Sequence, residues 1–533
     1  MVDVAGWSSS AARRAHNPKV VGSNPAPATN RNLRVGRSAL NPKVVGSNPA
    51  PATKTLLDCL ETSANKYPNK IAFEDEFGGI TYAQLVKRSK QVGTMVAKQV
   101  DPHQPVLVMA ERKVETIVLY LGVLYAGCFY LPVDPETPTQ RVQDIVDFYQ
   151  PKTTLCCDYI KKADKIDEKQ LASIRDKMTA TDPFCILFTS GSTGNPKGIL
   201  MQHLGMITML DTVSRTRGMR NDEIIANQLL ICYADSCRDI YMTIFLGATM
   251  IIVPNEIVKR PKDLLKLIDV KKVTTIDWAS TLLEGCVTEG AIAETQPKHL
   301  RQVVSLGSIA SWHSLHEWAR LCPKAQVIID YGLSEIFPVS YYYIDKKRNE
   351  SGTPLIGKPL EHVRMFLLDQ NKKPVRDGEV GELYIISPAL AAGYFKNPTR
   401  TAESFIQNPL QSDHHEIAYR TKDLASRRPD GNFQFHGRCD RHVKYRAFLV
   451  ELDDIERVAK TCKGVDIASC QFDAGKELLW LFYSGKAELK DLATHLRGQL
   501  PPHMLPRKFL HMDKMPMTST GKVDGKKLEA MMK

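Results

Sequence analysis

One stretch of the chain, residues 184–200, limits the possible local folds more than any other. Its first part, Phe184–Phe188, is short and apolar, which is typical of a buried strand. The nine residues after Thr189 are Ser, Gly, Ser, Thr, Gly, Asn, Pro, Lys and Gly. Such a loop offers many backbone N–H groups and hydroxyls with little side-chain bulk, and Lys197 adds a positive charge. Because successive amides can form a concave anion-binding nest, the stretch predicts a strand that ends in a polyphosphate-binding loop.

Two alternatives to this interpretation fit the residues less well. The Walker A loop requires Gly-Lys-Ser/Thr, whereas Lys197 stands between Pro196 and Gly198. A flexible Gly/Ser connector would not require the flanking strand or the Pro-Lys-Gly sequence. We therefore keep the phosphate loop as the prediction.

The bulk composition is that of an ordinary globular protein. The 533 residues exceed what one hydrophobic core usually supports, so two or more domains are expected. No apolar run approaches the ~20 residues that cross a bilayer, and the N-terminal ten residues do not resemble a signal peptide. The twelve cysteines are scattered without a C-x-x-C pair, which indicates reduced thiols and a cytoplasmic location. Because no apolar run is long enough to span a bilayer, we also expect no membrane partner.

The positive charge is concentrated at the N-terminus. Of the net charge of +12, residues 1–54 carry +7, which leaves +5 for the rest of the chain. No basic stripe interleaved with aromatic residues is present, as a nucleic-acid surface would require. We expect no nucleic-acid partner.

Residues 1–54 contain an exact duplication. The block N-P-K-V-V-G-S-N-P-A-P-A-T occupies 17–29 and again 41–53. Its Pro and Gly density and its lack of a periodic apolar face argue against a packed core. Solenoid repeats need several copies to bury a face. We predict that residues 1–54 are a disordered leader or an artefact of a non-coding repeat.

The remainder of the chain predicts two folded domains. From Thr55 to residue 437 helical and strand patterns alternate, which predicts an α/β domain of mostly parallel sheets covered by helices. Residues 438–533 contain an amphipathic helix from about Asp453 and short strands such as Leu478–Tyr483. This pattern predicts a smaller α+β domain.

The loop and the motifs around it resemble the adenylate-forming superfamily, which includes acyl-CoA synthetases, luciferases and adenylation domains of nonribosomal peptide synthetases. Thr81–Leu85 (T-Y-A-Q-L) and Tyr125–Asp134 (Y-A-G-C-F-Y-L-P-V-D) resemble two early superfamily motifs. The resemblance extends over residues 55–533 in the family's motif order. It implies that a carboxylate is coupled to ATP with release of pyrophosphate, that Mg²⁺ assists, and that the small C-terminal domain is mobile.

The resemblance assigns residues to the nucleotide. D-Y-G-L-S-E at 330–335 resembles x-Y-G-P-T-E, which implies that Tyr331 lies against adenine, Ser334 meets phosphate and Glu335 holds Mg²⁺. Y-R-T-K-D-L at 419–424 resembles Y-R-T-G-D-L, which implies that Asp423 binds the ribose hydroxyls, with Lys422 replacing the usual Gly. The predicted nucleotide-binding residues are Thr189, Ser190, Gly191, Ser192, Thr193, Gly194, Lys197, Tyr331, Ser334, Asp423 and Arg438.

Two further motifs concern the small domain. Asp440 in G-R-C-D matches the family's hinge, about which the domain would rotate between two half-reactions. Lys522 in T-G-K-V-D would stabilise the charge that develops during adenylation, so Lys522, Glu335 and Lys197 are the predicted catalytic residues. The family's Gly in the loop that faces the thiol acceptor is Ala447 here, so thiol transfer is less strongly implied than adenylation.

The acyl pocket is predicted with two alternatives. Amino-acid adenylation domains carry F-D-x-S, whereas this chain has Tyr233-Ala234-Asp235-Ser236, with the acid one position later. Either the loop shifts to restore a contact with the substrate ammonium, or the amino group lies elsewhere, as in a β-amino acid. The predicted pocket is polar, unless its charges pair with one another. Its residues are Asp235, Arg238, Asp277, Val304, Leu306, Asp330 and Pro338.

The resulting prediction is a free-standing adenylation enzyme, similar to nonribosomal peptide synthetase adenylation domains and D-alanine–carrier-protein ligases. Its substrate would be a carboxylic acid, with an amino acid favoured. No carrier module follows the small domain, so the acceptor would be the phosphopantetheine thiol of a carrier protein acting in trans. The alternatives are an acyl- or aryl-CoA synthetase and a catalytically silent nucleotide-binding protein, the latter disfavoured by Lys522, Glu335 and Asp423.

Overall fold

The computed structural model describes residues 55–189, 197–307, 310–347, 350, 355–445, 448–517 and 523–532. The chain divides into two units, Met1–Pro51 and Ala52–Lys533. The first unit lies outside the described residues, and so does the predicted leader, residues 1–54.

Helices and strands alternate from the start of the second unit, as predicted. Residues 157–162 add a 3₁₀ helix. The elements up to residue 202 are α1 (Leu56–Lys66), β1 (Ile71–Asp75), β2 (Gly78–Thr81), α2 (Tyr82–Ala97), β3 (Pro105–Met109), α3 (Val114–Tyr125), β4 (Phe129–Val133), α4 (Thr139–Tyr149), β5 (Thr154–Leu155), α5 (Glu168–Arg175), β6 (Pro183–Thr189) and β7 (Lys197–Gln202).

Five of these strands form one sheet in the order β5-β3-β4-β6-β7. Its neighbours are parallel except β6 and β7, which form an antiparallel hairpin in which Thr189 pairs with Lys197. The predicted apolar strand is therefore present, and the predicted phosphate loop connects its end to β7.

The alternation continues through the middle of the chain. The elements are α6 (His203–Arg217), β8 (Ile224–Asn227), α7 (Ala234–Leu246), β9 (Thr249–Ile252), α8 (Asn255–Val258), α9 (Pro261–Val270), β10 (Thr275–Ala279), α10 (Ser280–Thr288), α11 (Ala291–Glu294), β11 (Gln302–Leu306), α12 (Trp312–Leu321), β12 (Gln326–Leu333) and β13 (Ile336–Tyr343).

The last part of the chain is richer in strands. Residues 502–504 add a second 3₁₀ helix. The elements are β14 (Leu355–Pro359), β15 (Arg364–Leu368), β16 (Val380–Ile386), α13 (Pro398–Ser404), β17 (Phe405–Gln407), β18 (Ile417–Arg427), β19 (Phe433–Arg438), β20 (His442–Tyr445), β21 (Phe448–Glu451), α14 (Leu452–Lys460), β22 (Val465–Asp473), β23 (Leu478–Gly485), α15 (Leu489–Gln499), β24 (Lys508–His511) and α16 (Gly525–Glu529).

A large sheet of 14 strands runs through the described residues. Its order is β15-β16-β18-β19-β14-β13-β12-β11-β10-β8-β9-β1-β2, with β17 paired to β18. Strands β12, β11, β10, β8, β9 and β1 are parallel neighbours, whereas the strands from β13 to β15 pair antiparallel. The predicted α/β class is confirmed, and the antiparallel half is the part that the apolar pattern did not distinguish.

The C-terminal region forms a smaller domain with its own sheet and core. Strands β22, β23 and β24 make a three-stranded sheet, and β20 pairs with β21. Helix α14 buries Leu452, Ile455 and Val458 while Asp453 and Lys460 remain exposed, so its apolar positions recur at helical spacing. The predicted smaller α+β domain is therefore confirmed.

Helices α2 and α3 pack at unusually short range. A Cβ atom at Gly122 would lie 2.4 Å from Val92 Cγ1 and 2.6 Å from Val92 Cβ, and one at Gly93 would lie 2.6 Å from Tyr125 Cβ. Both positions must therefore remain glycine for the helices to make this contact. Among the described residues, no helix combines the length and apolar character needed to cross a membrane.

We predict that Gly122→Ala lowers the free energy of unfolding by about 1–3 kcal/mol, because the new methyl group overlaps a branched Cβ that cannot move away. Gly285→Ala is the matched control, since a Cβ atom at this helical glycine would have nothing within 4 Å. It should gain about 0.5–1 kcal/mol from helix propensity. Denaturant unfolding of both variants measures the difference, and equal stabilisation by both substitutions would contradict the close helix contact.

Candidate active site

The candidate site lies where the parallel and antiparallel halves of the large sheet approach each other. Tyr331, near the end of β12, donates its hydroxyl to Asp423 Oδ2 on β18. Arg438, opposite Asp423 in the β18–β19 register, donates Nη1 to Asp423 Oδ1. Asp423 is completely buried. Tyr331 and Arg438 therefore meet at the carboxylate of Asp423, and the motifs assign all three residues to the nucleotide.

The backbone beside Asp423 adopts a restricted conformation. Lys422, which replaces the family's usual Gly, has φ +63° and so lies in the left-handed region. This conformation costs a non-Gly residue roughly 1–2 kcal/mol. Lys422 therefore adopts a conformation that a glycine would reach without this cost. The Lys422 Nζ lies 3.7 Å from Asp440 Oδ2.

Asp440, the predicted hinge residue, is tied directly to this site. Its Oδ1 accepts a hydrogen bond from Arg438 Nε at 2.8 Å, and its Oδ2 lies 3.0 Å from His442 Nδ1. Burial alone would raise the pKa of Asp440, but the contacts with His442 and Arg438 hold it well below the ordinary value. Asp440 is therefore an anion that links the large sheet to the small domain.

Lys197, the predicted phosphate-loop lysine, contacts the small domain. Its Nζ donates to Glu451 Oε2 at 2.9 Å and lies 3.2 Å from His442 Nε2. The side chains of Lys197 and Glu451 are only 8% and 4% exposed. Burial lowers the pKa of Lys197, while Glu451 opposes this effect. We name Lys197, His442, Glu451 and Asp440 the interdomain cluster.

His442 occupies the centre of the interdomain cluster. Its Nε2 lies 3.1 Å from Glu451 Oε2, on the side opposite Asp440. Burial lowers the pKa of His442 and so does Lys197, but Asp440 and Glu451 outweigh both and raise it above the ordinary value of 6.5. In turn, the pKa of Glu451 falls to about 2, because the contacts with His442 and Lys197 outweigh burial. No motif pointed to His442, because its role depends on residues distant in sequence.

Glu335, the predicted Mg²⁺ ligand, lies in the turn between β12 and β13. Tyr394 donates its hydroxyl to Glu335 Oε1 at 2.6 Å, and the Ala391 amide donates to the Glu335 carbonyl at 2.9 Å. Burial and Glu335 raise the pKa of Tyr394 far above its ordinary value. None of the motifs described above gave a role to Tyr394, so this positioning contact was not predicted.

The chemistry of Glu335 fits a single protein ligand to Mg²⁺. Mg²⁺ usually retains several waters and uses one or two carboxylates together with substrate phosphates. The described residues contain no cluster of three or more His, Cys, Asp or Glu side chains that could hold a metal ion by themselves. Glu335 is oriented by Tyr394 and lies near Lys197, at the end of the predicted phosphate loop, which fits a site with one or two protein carboxylates.

A small cavity of about 80 Å³ lies between α7 and the end of β12, and Ser334 is on its wall. Five of the predicted pocket residues are on its wall: Asp235, Arg238, Leu306, Asp330 and Pro338. Asp277 and Val304 are buried on β10 and β11 and are not part of the wall. Arg238 Nη2 lies 2.8 Å from Asp277 Oδ2, so the alternative in which the pocket charges pair with each other is the one observed.

A larger cavity of about 420 Å³ adjoins the first and shares Ala234, Asp235 and Ser334 with it. Its wall includes the small-domain residues Phe448 and His503. The rings of these two residues stack with their centroids 4.0 Å apart. This cavity is therefore bounded by both domains.

Several predicted residues cannot be placed. Lys522 and the loop residues Ser190, Gly191, Ser192, Thr193 and Gly194 lie outside the described residues, as does Ala447. For Thr189 only the backbone, paired with Lys197, is described.

Comparisons with known proteins agree with the geometry. A family model for AMP-binding enzyme matches residues 60–395. Gramicidin S synthase 2 from Brevibacillus brevis is 30% identical over 499 residues, which are 89% of this chain and 11% of that protein. Bacitracin synthase 3 from Bacillus licheniformis is 31% identical over 501 residues, 90% of this chain and 8% of that protein. The chain thus spans about a tenth of the length of these relatives.

The fold has a close counterpart among solved structures. NpsA–ThdA, an artificially fused adenylation–PCP di-domain from Klebsiella oxytoca, superposes with a TM-score of 0.74 at 23% identity. The alignment covers 86% of this chain and 94% of that one. The family model covers more than half of the chain and the motifs follow the same order. The chain therefore belongs to the AMP-binding enzyme family, and the prediction of an ATP-dependent adenylate-forming ligase is confirmed at the level of that family.

Proposed function

We propose that the protein activates an amino acid as its acyl-AMP, with release of pyrophosphate, and passes the acyl group to the phosphopantetheine thiol of a separate carrier protein. The observation that carries this proposal is the convergence of Tyr331, Asp423 and Arg438 next to two adjoining cavities. Since ATP and carrier proteins of this kind are found in the cytoplasm, we place the protein there.

Tyr331, Asp423 and Arg438 are suited to the nucleoside. In this role the aromatic face of Tyr331 contacts adenine and Asp423 accepts the two ribose hydroxyls. Both oxygens of Asp423 already accept one hydrogen bond each. A carboxylate offers about four lone-pair sites, so Asp423 retains capacity for a vicinal diol. Arg438 orients the carboxylate through its Nη1 contact.

Lys197, Glu335 and Lys522 are assigned to the phosphates. Lys197 supplies a positive charge at the end of the loop, and Glu335 would hold Mg²⁺, which offsets phosphate charge when bound. A substrate carboxylate oxygen then attacks the α-phosphorus and the bond to pyrophosphate breaks. We assign Lys522 to stabilise the charge that develops in this step.

The larger cavity is suited to the thiol acceptor. Its volume of about 420 Å³ and its walls from both domains can accommodate a narrow flexible arm that reaches the acyl group near Ser334. The adenylation–PCP pairing in the structural relative supports a carrier protein as the source of this arm. The thiol sulfur attacks the acyl carbon, and AMP leaves. CoA carries the same arm, so an acyl-CoA synthetase is the second candidate.

The interdomain cluster supports two arrangements of the small domain. In the observed arrangement, Lys197 forms an ion pair with Glu451, so its charge is already engaged by the small domain. Rotation about Asp440 would separate Glu451 and His442 from Lys197 and make the lysine available to ATP. We therefore assign the observed arrangement to the step after adenylation.

The proposed function predicts acid-dependent exchange of labelled pyrophosphate into ATP, followed by loading of a phosphopantetheinylated carrier. The test uses the full chain with an acid panel, and then supplies either carrier protein or CoA as the acceptor. Exchange together with carrier loading is the expected outcome. Loading of CoA alone would favour the synthetase, and no exchange with any acid would overturn the proposal.

Tyr394→Phe should slow pyrophosphate exchange by about ten- to hundredfold, because it removes a hydrogen bond of about 1.5–3 kcal/mol to an ionised carboxylate. The Mg²⁺ concentration for half-maximal activity should rise as well. Tyr125→Phe is the matched control. The Tyr125 hydroxyl also donates to a carboxylate, Glu61 Oε1 on α1, at 2.9 Å, but this contact is not part of the candidate site. An unchanged Mg²⁺ requirement in Tyr394→Phe would show that Glu335 is not the metal ligand.

The interdomain cluster predicts a pH dependence of stability. Because the folded pKa of His442 is raised above 6.5, its contribution is fully present below pH 6.5 and is lost as pH rises through the folded value. We expect wild type to exceed His442→Gln in melting temperature at pH 6, with the gap closing towards pH 8.5. His414→Gln, at an exposed position, controls for general histidine titration. A difference in melting temperature between wild type and His442→Gln that does not change with pH would contradict this prediction.

A further inference from the structure

A buried group of charged side chains lies behind the small cavity, and its centre is a residue that no motif identified. Arg217, at the end of α6, places Nη1 2.8 Å from Asp277 Oδ2 and also donates Nη2 to Asp330 Oδ2. Arg238, on α7, lies 2.8 Å from Asp277 Oδ2 and 3.7 Å from Asp330 Oδ2. Two arginines thus bracket the same two carboxylates. We name these four residues the pocket-floor cluster.

The region around the pocket-floor cluster has more acids than bases. Arg238 also lies 3.3 Å from Asp239 Oδ1 and 3.7 Å from Asp235 Oδ1. Four carboxyl groups therefore share two guanidinium groups. Burial raises the pKa of Asp330 to about 6 and of Asp239 to about 7, although the arginines act in the opposite direction. The cavity wall is therefore complementary to a further positive charge.

The unused hydrogen-bonding capacity points to the same kind of ligand. The Oδ1 atoms of Asp277 and Asp330 are buried and have no hydrogen-bond partner in the part of the chain that the structure describes. Asp330 is 7% exposed and lies on the cavity wall. A buried carboxylate oxygen without a donor is costly, and an ammonium group in the cavity would supply both the charge and the donor.

The cavity is also small. Arg238 and Asp330 supply charged groups to its wall, and Leu306, Phe337 and Pro338 supply apolar ones. At about 10–15 Å³ for each water-sized group, the volume of about 80 Å³ accommodates roughly five to eight non-hydrogen atoms. This is the size of a short amino acid and excludes an aromatic side chain.

We propose that the pocket-floor cluster selects short amino acids of about five to eight non-hydrogen atoms, whose ammonium lies against Asp330. Arg217 is the positioning residue: it orients Asp277 and Asp330 from behind the cavity wall. This inference rests on the proposed function, since it assigns the acyl group of the adenylate to the smaller cavity and its carboxylate to the wall shared with the larger one at Ser334.

The first test is pyrophosphate exchange by the wild-type chain over one panel of acids. The short amino acids are glycine, L-alanine, β-alanine and 4-aminobutyrate, and the others are L-phenylalanine, L-tryptophan, propionate, butyrate and hexanoate. A short amino acid should exceed its deamino analogue in kcat/KM by about ten- to hundredfold, the equivalent of one charged hydrogen bond. Preferred use of the aromatic acids or of hexanoate overturns the inference. Exchange with none of the acids overturns the proposed function instead.

The second test identifies the residue that binds the ammonium. Asp330→Asn should reduce the preference for amino over deamino acids by about tenfold or more. Asp239→Asn is the matched control, because Asp239 is equally buried and also pairs with Arg238 but is not on the cavity wall. Loss of the preference in Asp235→Asn, with Asp330→Asn unchanged, would show that the ammonium lies at the other acid and would overturn the assignment.

The third test concerns Arg217. Arg217→Lys keeps the charge but cannot contact both carboxylates with one rigid planar group. We expect KM for the short amino acids to rise with little change in kcat, and relative use of longer amino acids to increase. A purely structural role would lower activity towards all substrates in the same proportion, and that result would show that Arg217 does not determine specificity.

Circular dichroism and thermal unfolding establish that each variant is folded. If a variant does not fold, the wild-type acid panel decides the question.

Discussion

The ion pair between Asp423 and Arg438 is the interaction on which the organisation of the site depends. It lies within the β18–β19 pairing, and Tyr331 joins it from β12, three strands away in the sheet order. Through Arg438 it extends to Asp440, where the chain enters the small domain. One buried carboxylate thus connects both halves of the large sheet to Asp440, the predicted hinge residue, and its charge is balanced by a guanidinium that cannot lose its proton at physiological pH.

In the interdomain cluster, too, a buried charge lies beside a partner of opposite sign, but here the partner belongs to the other domain. Burial disfavours the ammonium form of Lys197, and Glu451, which lies on the small domain, opposes this effect. The contact between Lys197 and Glu451 therefore depends on the position of the small domain. The proposed domain rotation would change the environment of Lys197, the lysine of the predicted phosphate loop, without any change in the large domain itself.

The fold and much of the site could be predicted because local patterns determined them. The apolar strand before the phosphate loop, the alternation of helices and strands, and the motifs around Tyr331 and Asp423 all lie where their residues indicated. Other features depend on contacts between distant segments, which a single sequence does not encode locally. Tyr394 orients Glu335 from 59 positions away, and Arg217 reaches Asp330 across 113. For this reason the sequence left the pairing of the pocket charges as one of two alternatives, although Arg238, Asp277 and Asp330 were named and only Arg217 and Asp239 were not.

The close contact between α2 and α3 has a mechanical consequence. Helices that meet at glycine, with a neighbouring Cβ in van der Waals contact, cannot slide past each other without steric overlap. We expect this pair to keep its contact and to move together with β3 and β4, the strands that α3 connects. In the proposed domain rotation, the backbone torsions around Asp440 would then change while the two helices keep their contact.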